Sequence, residues 1–100
     1  MNNTEKLSNL LGLAQRAGKL ISGEELVIKA VQSRKARLVF LANDAGSNVT
    51  KKMTDKCNYY NIEFSTVFNA LELSTAIGKP RKTVAVVDAG FSKKMRTLMD

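Results

Sequence analysis

The feature of this chain that most constrains its fold is a pair of short, almost wholly apolar runs, Leu38–Ala42 and Thr83–Val87. Neither run alternates apolar with polar side chains, which predicts β-strands that are covered on both faces. Such strands are buried only when other elements pack against both sides of their sheet. The two runs therefore predict a layered structure with a sheet in its middle.

Amphipathic segments alternate with these strands and predict helices. In the first segment, apolar side chains recur at helical spacing until Gly18, a residue type that commonly ends helices. We expect helices to begin at Thr4, at Ser22, at Ser47 or Asn48, at Asn69 and after Gly90, with two further strands at Leu20–Ile21 and Ile62–Val67. The predicted class is α/β: a three-layer α/β/α sandwich in which a four-stranded mixed sheet carries helices on both faces, within a single domain spanning residues 1–100.

The predicted second helix has the pattern of a capping box at its start. Ser22 is the expected N-cap and Glu25 occupies the third helical position. The helical period places Glu25 and Lys29 on one face. It turns the apolar residues toward the core, namely Leu26, Val27, Ala30 and Val31.

The charge balance points to a class of partner. Sixteen Lys and Arg residues against nine Asp and Glu give a net charge of +7 and a pI near 9.8. In a compact domain this imbalance indicates a polyanion, and nucleic acid is the natural one. The alternative is a basic surface that only keeps the protein soluble.

The chain has no histidine and one cysteine, Cys57. These counts argue against a zinc site, against acid–base catalysis by imidazole and against an internal disulfide. Cys57 follows Val49 and Met53 at nearly helical spacing, which predicts a buried position rather than a reactive thiol. Because the chain also lacks a phosphate loop and its only paired carboxylates, Glu24 and Glu25, lie on different helix faces, we expect no enzyme, no metal and no cofactor.

The chain shows no sign of a membrane segment. Its apolar runs reach about six residues, whereas a helix needs roughly 20 to span a bilayer. The first residues lack the basic and then apolar order of a signal peptide. We therefore expect a cytoplasmic protein without a membrane partner.

The start of the second helix, Gly23–Glu25, is a candidate binding site, with Lys29 one turn further on. Unpaired N–H groups at a helix start favour phosphates or base acceptors, and glycine lets another backbone come close. Carboxylates there repel phosphate, but they accept hydrogen bonds from amino groups on base edges. The alternative is purely structural: Glu25 completes the capping box and pairs with Lys29, while Glu24 complements the helix dipole.

Several segments resemble one known family in their order and spacing. They are Arg16–Lys19, Ser22–Val27, Lys29–Ala30, Ala36–Val39, Ala42–Asp44, Leu71–Leu73, Ala76–Pro80 and Val84–Val87. In these segments the chain resembles the kink-turn-binding ribosomal protein family, and it is most similar to the small bacterial YlxQ-like branch. The resemblance covers nearly the whole chain without a large gap.

The resemblance implies an α/β/α sandwich that binds a sharply bent RNA. Family members grip the bend with the start of the second helix, the loop after the next strand and a loop before the fourth helix. The RNA contacts that the resemblance implies fall on Gly23, Glu24, Glu25, Lys29, Asn43, Asp44, Val67, Phe68 and Asn69. The positive charge beside the helix start adds Lys19, which together with Lys29 and Arg16 could reach phosphates. An apolar side chain of the last loop would cap unstacked bases. Family members of similar size also imply a monomer.

The chain departs from the family pattern in ways that leave a second interpretation open. Glu25 and Leu26 stand where many members carry Asn-Glu, and an ionised Glu accepts hydrogen bonds but donates none. Arg34 replaces the usual turn glycine after the second helix. The second interpretation is a ribosome-associated protein-interaction module that touches RNA only through its charge.

Two groups of side chains have a structural and a functional interpretation each. Tyr59 and Tyr60 could stack on bases, or one lies inward beside Met53 while the other is merely exposed. Basic runs are typical of solvated surfaces, yet each could contact an RNA backbone. These runs are Lys51–Lys56, Lys79–Lys82 and Lys93–Arg96.

Overall fold

The computed structural model describes residues 1–99 and contains, in that range, five helices and four strands. The helices are α1 (Asn3–Arg16), α2 (Glu24–Gln32), α3 (Ser47–Tyr59), α4 (Ala70–Ile77) and α5 (Ala89–Arg96). The strands are β1 (Leu20–Ser22), β2 (Leu38–Leu41), β3 (Phe64–Ser65) and β4 (Thr83–Val86). Helices and strands alternate, which confirms the predicted order. Among the helices of residues 1–99, none is long and apolar enough to cross a membrane.

The four strands form one mixed sheet in the order β1-β4-β2-β3. β4 pairs antiparallel with both β1 and β2, whereas β2 pairs parallel with β3. β2 and β4 are the central strands, and every residue of both is buried. Their apolar sequences predicted this burial, and the mixed four-stranded sheet is confirmed.

The strand directions bring several loops to one end of the sheet. β1, β2 and β3 run the same way and β4 runs against them, so the carboxyl ends of the first three lie beside the amino end of β4. We call this end the upper edge. It is marked by Ser22, Leu41, Ser65 and Thr83. The lower edge is the opposite end, where β1 begins at Leu20 and β4 ends at Val86.

Helices cover both faces of the sheet, each over its own apolar core. One face packs against α1, α4 and α5 through a core that includes Leu11, Phe40 and Met95. The other face packs against α2 and α3 through a core that includes Val31 and Met53. Full burial of side chains of this size contributes about 1.5–3 kcal/mol each. The three-layer α/β/α sandwich with helices on both faces is therefore confirmed.

Two helices begin after a glycine instead of at the predicted serine or asparagine. Ser22 is the last residue of β1, and the N-cap of α2 is Gly23, with a φ of 100°. The N-cap of α3 is Gly46, with a φ of 94°, so Ser47 and Asn48 are helical residues rather than caps. A backbone with positive φ is costly for residues with a Cβ, which is why glycine and not a polar cap occupies these turns.

Other boundaries lie close to the predicted ones. α1 is capped by Asn2, which forms a capping box with Glu5, so the helix begins before Thr4. α5 is capped by Asp88 and therefore begins before Gly90. In both cases a polar side chain nearer the amino end satisfies the first backbone donors, so the helix starts there.

Two further expectations were wrong. The predicted strand Ile62–Val67 is reduced to the two residues of β3, because β3 lies at the edge of the sheet and, within residues 1–99, pairs with β2 alone. Leu26 is 58% exposed instead of facing the core. At about 100° per residue it lies a quarter turn from the centre of the buried stripe formed by Val27, Ala30 and Val31.

Cys57 lies in the core between α3 and the sheet and is 1% exposed, as its spacing predicts. Burial raises the pKa of its thiol from 9.0 to about 11, because the charged thiolate loses its hydration. Since the thiolate is the reactive form, the residue is chemically quiet in the folded protein.

We expect iodoacetamide to alkylate Cys57 at pH 8 about a hundredfold more slowly in the native protein than in the urea-unfolded chain. The rise in pKa lowers the thiolate fraction by about this factor. Timed quenching and mass spectrometry measure both rates. Equal rates in the two states would contradict the buried position.

The same shift makes stability depend on alkaline pH. The unfolded thiol loses its proton near pH 9.0 and the folded one near 11, so its contribution is complete below pH 9 and is lost as the pH rises toward 11. The Cys57→Ala variant lacks this titration. We therefore expect the difference in unfolding free energy between wild type and variant to shrink across this window, as measured by urea denaturation.

Candidate nucleic-acid interface

The start of α2 presents backbone donors at the upper edge. The Gly23 N–H donates to the Thr83 carbonyl oxygen at 3.1 Å, which places the turn from β1 into α2 beside the start of β4. The N–H groups of Glu24, Glu25 and Leu26 lack a helical acceptor because they lie in the first turn. Within residues 1–99 no side chain caps this helix in their place. Donors at the positive end of a helix dipole bind phosphate oxygens or base acceptors.

The two carboxylates at the start of α2 have different surroundings. Glu24 is partly buried, and its Oε1 lies 3.7 Å from Lys52 Nζ on α3. Glu25 is exposed, and in the described part of the chain neither it nor Lys29 forms an ion pair. Two contacts of the purely structural interpretation are therefore absent from the described residues. The capping box does not form, since Ser22 lies in β1, and Glu25 does not pair with Lys29. The Glu25 carboxylate can still accept hydrogen bonds from a ligand.

Hydrogen bonds join the loop after β2 to the loop before α4. The Asn43 side-chain amide donates to the Thr66 carbonyl oxygen at 3.0 Å, and the Asn43 backbone N–H donates to the Phe68 carbonyl oxygen at 2.9 Å. The Asp44 carboxylate accepts from the Ala70 N–H at 2.8 Å. The structure therefore brings these two candidate loops together at the upper edge.

The loop before α4 exposes one apolar side chain at the predicted positions. Val67 is 43% exposed, whereas Phe68 is 3% exposed and its ring centroid lies 5.9 Å from that of Phe40. We expected an apolar side chain of this loop to cap an unstacked base. Phe68 is not available for that contact, because its ring is buried in the core beneath α4. Asn69 caps α4 as predicted, and its side-chain oxygen accepts from the Glu72 N–H.

The loop between α4 and β4 also reaches the upper edge, although sequence reasoning did not place it there. Arg81 Nε donates to Ser22 Oγ at 3.2 Å, and two hydrogen bonds of 3.0 and 3.1 Å join the Arg81 backbone to Ser74 Oγ. A Cβ added to Gly23 would lie 3.9 Å from Arg81 Nε, so the guanidinium is adjacent to the start of α2. The basic run Lys79–Lys82 indicated that this loop could contact RNA. The strand pairing that positions the loop at the upper edge could not be predicted from the sequence.

A pocket of about 410 Å³ opens between these elements. Its wall combines apolar and charged groups from Glu24, Val49, Ala70, Pro80, Arg81 and Thr83. Thr83 is 1% exposed, and its Oγ1 has no hydrogen-bond partner among residues 1–99. A buried hydroxyl without a partner costs about 1–3 kcal/mol. The described residues contain no cluster of three or more His, Cys, Asp or Glu that could bind a metal.

The two predicted lysines lie at different distances from this pocket. Lys29 is exposed on α2, about 8 Å along the helix from its first residue. Lys19 lies at the lower edge, where its carbonyl oxygen accepts from the Val87 N–H at 3.0 Å. β1 separates Lys19 from Gly23 by about 13 Å of extended chain, so the structure does not bring Lys19 together with the other predicted residues.

Known proteins resemble this chain along nearly its whole length. The sequence model of the ribosomal protein L7Ae/L30e/S12e/Gadd45 family matches residues 5–96. The chain is 49% identical over 98 residues to RNA-binding protein YlxQ of Enterococcus faecium, which covers 98% of this chain and 95% of that protein. It is 51% identical over 92 residues to RNA-binding protein YlxQ of Bacillus subtilis, covering 91% and 92%. A solved structure of a protein with unknown function from Bacillus halodurans C matches with a TM-score of 0.90 at 49% identity, covering 95% of this chain and 97% of that chain.

We expect Asp44→Ala to lower the unfolding free energy by about 1 kcal/mol, because the Ala70 N–H loses its acceptor at the start of α4. Urea denaturation followed by circular dichroism measures the change. The matched control is Asp55→Ala on the exposed side of α3, where we expect a change within about 0.5 kcal/mol. Equal losses in the two variants would mean that the Asp44 contact does not hold the two loops together.

Proposed function

Because the chain belongs to the ribosomal protein L7Ae/L30e/S12e/Gadd45 family, we propose that it is a non-enzymatic RNA-binding protein that recognises a kinked RNA. Its target is a kink-turn or an internal loop of a structured RNA, with ribosomal RNA as the first candidate, and residues 1–100 act as one monomeric domain. Such an RNA samples bent and open states, and a protein that binds only the bent state shifts the population toward it. The relatives from Enterococcus faecium and Bacillus subtilis, both named RNA-binding proteins, support an RNA partner.

The observation that carries this proposal is the pocket beside the uncapped start of α2. A nucleobase has two apolar faces and a polar edge. Val49, Ala70 and Pro80 supply apolar surface in the pocket, while the first N–H groups of α2 supply hydrogen-bond donors. Sequence-specific RNA recognition uses bases that are unstacked in bulges and loops, which a paired duplex does not offer.

We assign two roles to the side chains around the pocket and the neighbouring loops. Lys29, Arg81 and Lys82 bind phosphates and supply the part of the affinity that depends on salt. Glu25 accepts hydrogen bonds from amino groups on base edges, and Val67 contacts an unstacked base through its exposed methyl groups. The first group therefore controls affinity for any RNA, and the second controls preference for the bent one.

A second candidate function rests on exposed apolar side chains near the same edge. Leu26 is 58% exposed on the first turn of α2, and Leu71 is 75% exposed on the first turn of α4. Exposed apolar surface of this kind favours contact with a protein. The alternative is therefore a ribosome-associated interaction module that touches RNA only through its positive charge. Recovery of one stoichiometric protein partner after nuclease treatment would favour it.

A binding titration near physiological salt tests the proposal. It compares a kink-turn RNA with the same RNA whose internal loop is replaced by paired bases. We expect the bent RNA to bind more tightly by at least about tenfold, or 1.4 kcal/mol. Equal and steeply salt-dependent binding to both RNAs would overturn kinked-RNA recognition and leave the alternative.

The two proposed roles predict different responses to substitution. We expect Lys29→Ala to weaken binding to both RNAs and to reduce the slope of log affinity against log salt by about 0.9, the value for one lost phosphate contact. Glu25→Ala should instead reduce the preference for the bent RNA by about fivefold or more. Lys93→Ala, on α5 across the sheet, is the charge-matched control. If both variants lost the same affinity on bent and paired RNA, the division of roles would be wrong.

A further inference from the structure

A groove of about 500 Å³ runs along α3, away from the pocket at the upper edge. We call it the α3 groove. Its lining residues are Lys52, Asp55, Lys56, Tyr59 and Tyr60. It therefore combines two ammonium groups and two aromatic rings with a single carboxylate, and this composition suits a strand that carries phosphates and bases.

Tyr59 is a large aromatic side chain that is exposed in this groove. It is 78% exposed, so it contributes little to the core. Its ring meets the partly buried Tyr60 edge to face, with 4.9 Å between centroids and 75° between planes. This contact orients the Tyr59 ring while leaving its surface exposed. Oriented, exposed aromatic rings beside positive charges are the means by which proteins bind single-stranded nucleic acid.

Arg34 adds a positive charge beside the groove, where it contacts Tyr60. Its guanidinium lies 5.5 Å from the Tyr60 ring centroid, and its Nη1 donates to the Tyr60 carbonyl oxygen at 3.3 Å. Its backbone has a φ of 63°, a left-handed conformation that costs a residue with a Cβ about 1–2 kcal/mol and costs glycine little. Such conformations persist when surrounding contacts hold them, and they cluster at functional sites.

The α3 groove begins where the proposed RNA site ends. Lys52, at one end, pairs with Glu24 at the start of α2. Tyr59, at the other end, lies about 10 Å further along α3. From these contacts we propose that the α3 groove binds a single-stranded RNA segment that continues from the bent element. Tyr59 stacks on a base, and Lys56 and Arg34 bind phosphates. This inference rests on the proposed RNA-binding function and extends it to a second surface.

The chain reports on this groove without a label. Tyr59 and Tyr60 are its only tyrosines and it has no tryptophan, so intrinsic tyrosine emission comes from the groove alone. We expect a single-stranded oligouridine of about six nucleotides, added to the full chain, to quench this emission with a saturable curve. Emission that does not change with added oligonucleotide would overturn the proposal.

Substitutions separate stacking from charge. The stacking energy of one base predicts that Tyr59→Ala weakens oligouridine binding by about 5- to 150-fold, measured by the anisotropy of a labelled oligonucleotide, and that Tyr59→Phe restores it. Arg34→Gly removes the charge and relieves the left-handed backbone. We expect it to lower the salt slope by about 0.7 without loss of unfolding free energy in urea. Lys93→Ala is the control for charge alone.

The oligouridine measurements test the α3 groove separately from the pocket at the upper edge. If Tyr59→Ala binds oligouridine like wild type, the α3 groove is not an RNA surface, whatever Arg34→Gly does to stability. The kink-turn titration then still decides the proposed function. If the preference for bent RNA is absent while Tyr59→Ala lowers oligouridine affinity, kinked-RNA recognition fails, and what stands is single-strand binding by the α3 groove without a bent element beside it.

Discussion

The pairing of β4 with both β1 and β2 is the interaction on which the rest of the molecule depends. β4 is antiparallel to both neighbours, so its amino end lies between the carboxyl ends of β1 and β2. Its side chains alternate between the two cores, with Val84 and Val86 on one face and Ala85 on the other. A slip by one residue would exchange these faces, and the volumes would no longer fit. Burial of three apolar residues thus sets which loops share the upper edge.

Polar contacts then hold those loops in place. Arg81 reaches Ser22 across 59 residues of sequence, and Asp44 reaches Ala70 across 26. Neither hydrogen bond belongs to a helix or to the strand pairing of the sheet. A set of loops that is already ordered loses less conformational freedom when it binds a ligand, so more of the interaction energy appears as affinity. The candidate site at the upper edge is built in this way, from side chains that connect loops rather than from one continuous motif.

Much of the fold was readable from the chain because it depends on local patterns. The apolar runs identified both central strands, and Asn69 with Glu72 identified the start of α4 through a real capping box. The errors occurred where tertiary geometry overrode a local preference. At Gly23 the chain must turn from a strand into a helix, so a glycine with a φ of 100° occupies the cap position expected for Ser22. Leu26 matched the apolar period and is still 58% exposed, because within residues 1–99 its side of α2 is turned away from the buried stripe of Val27, Ala30 and Val31.

In the candidate site, too, some features could be predicted from local patterns and others depended on tertiary structure. The sequence by itself determined the order of the layers and the positive charge, and it marked the start of α2 as a candidate binding element, since these follow from periodicity, composition and a resemblance between short segments. Only the tertiary structure decided that Arg81 lies beside Gly23, that the Phe68 ring belongs to the core and that Lys19 lies at the lower edge. Strand direction and side-chain burial arise from pairings between residues far apart in the chain, and no local pattern records them.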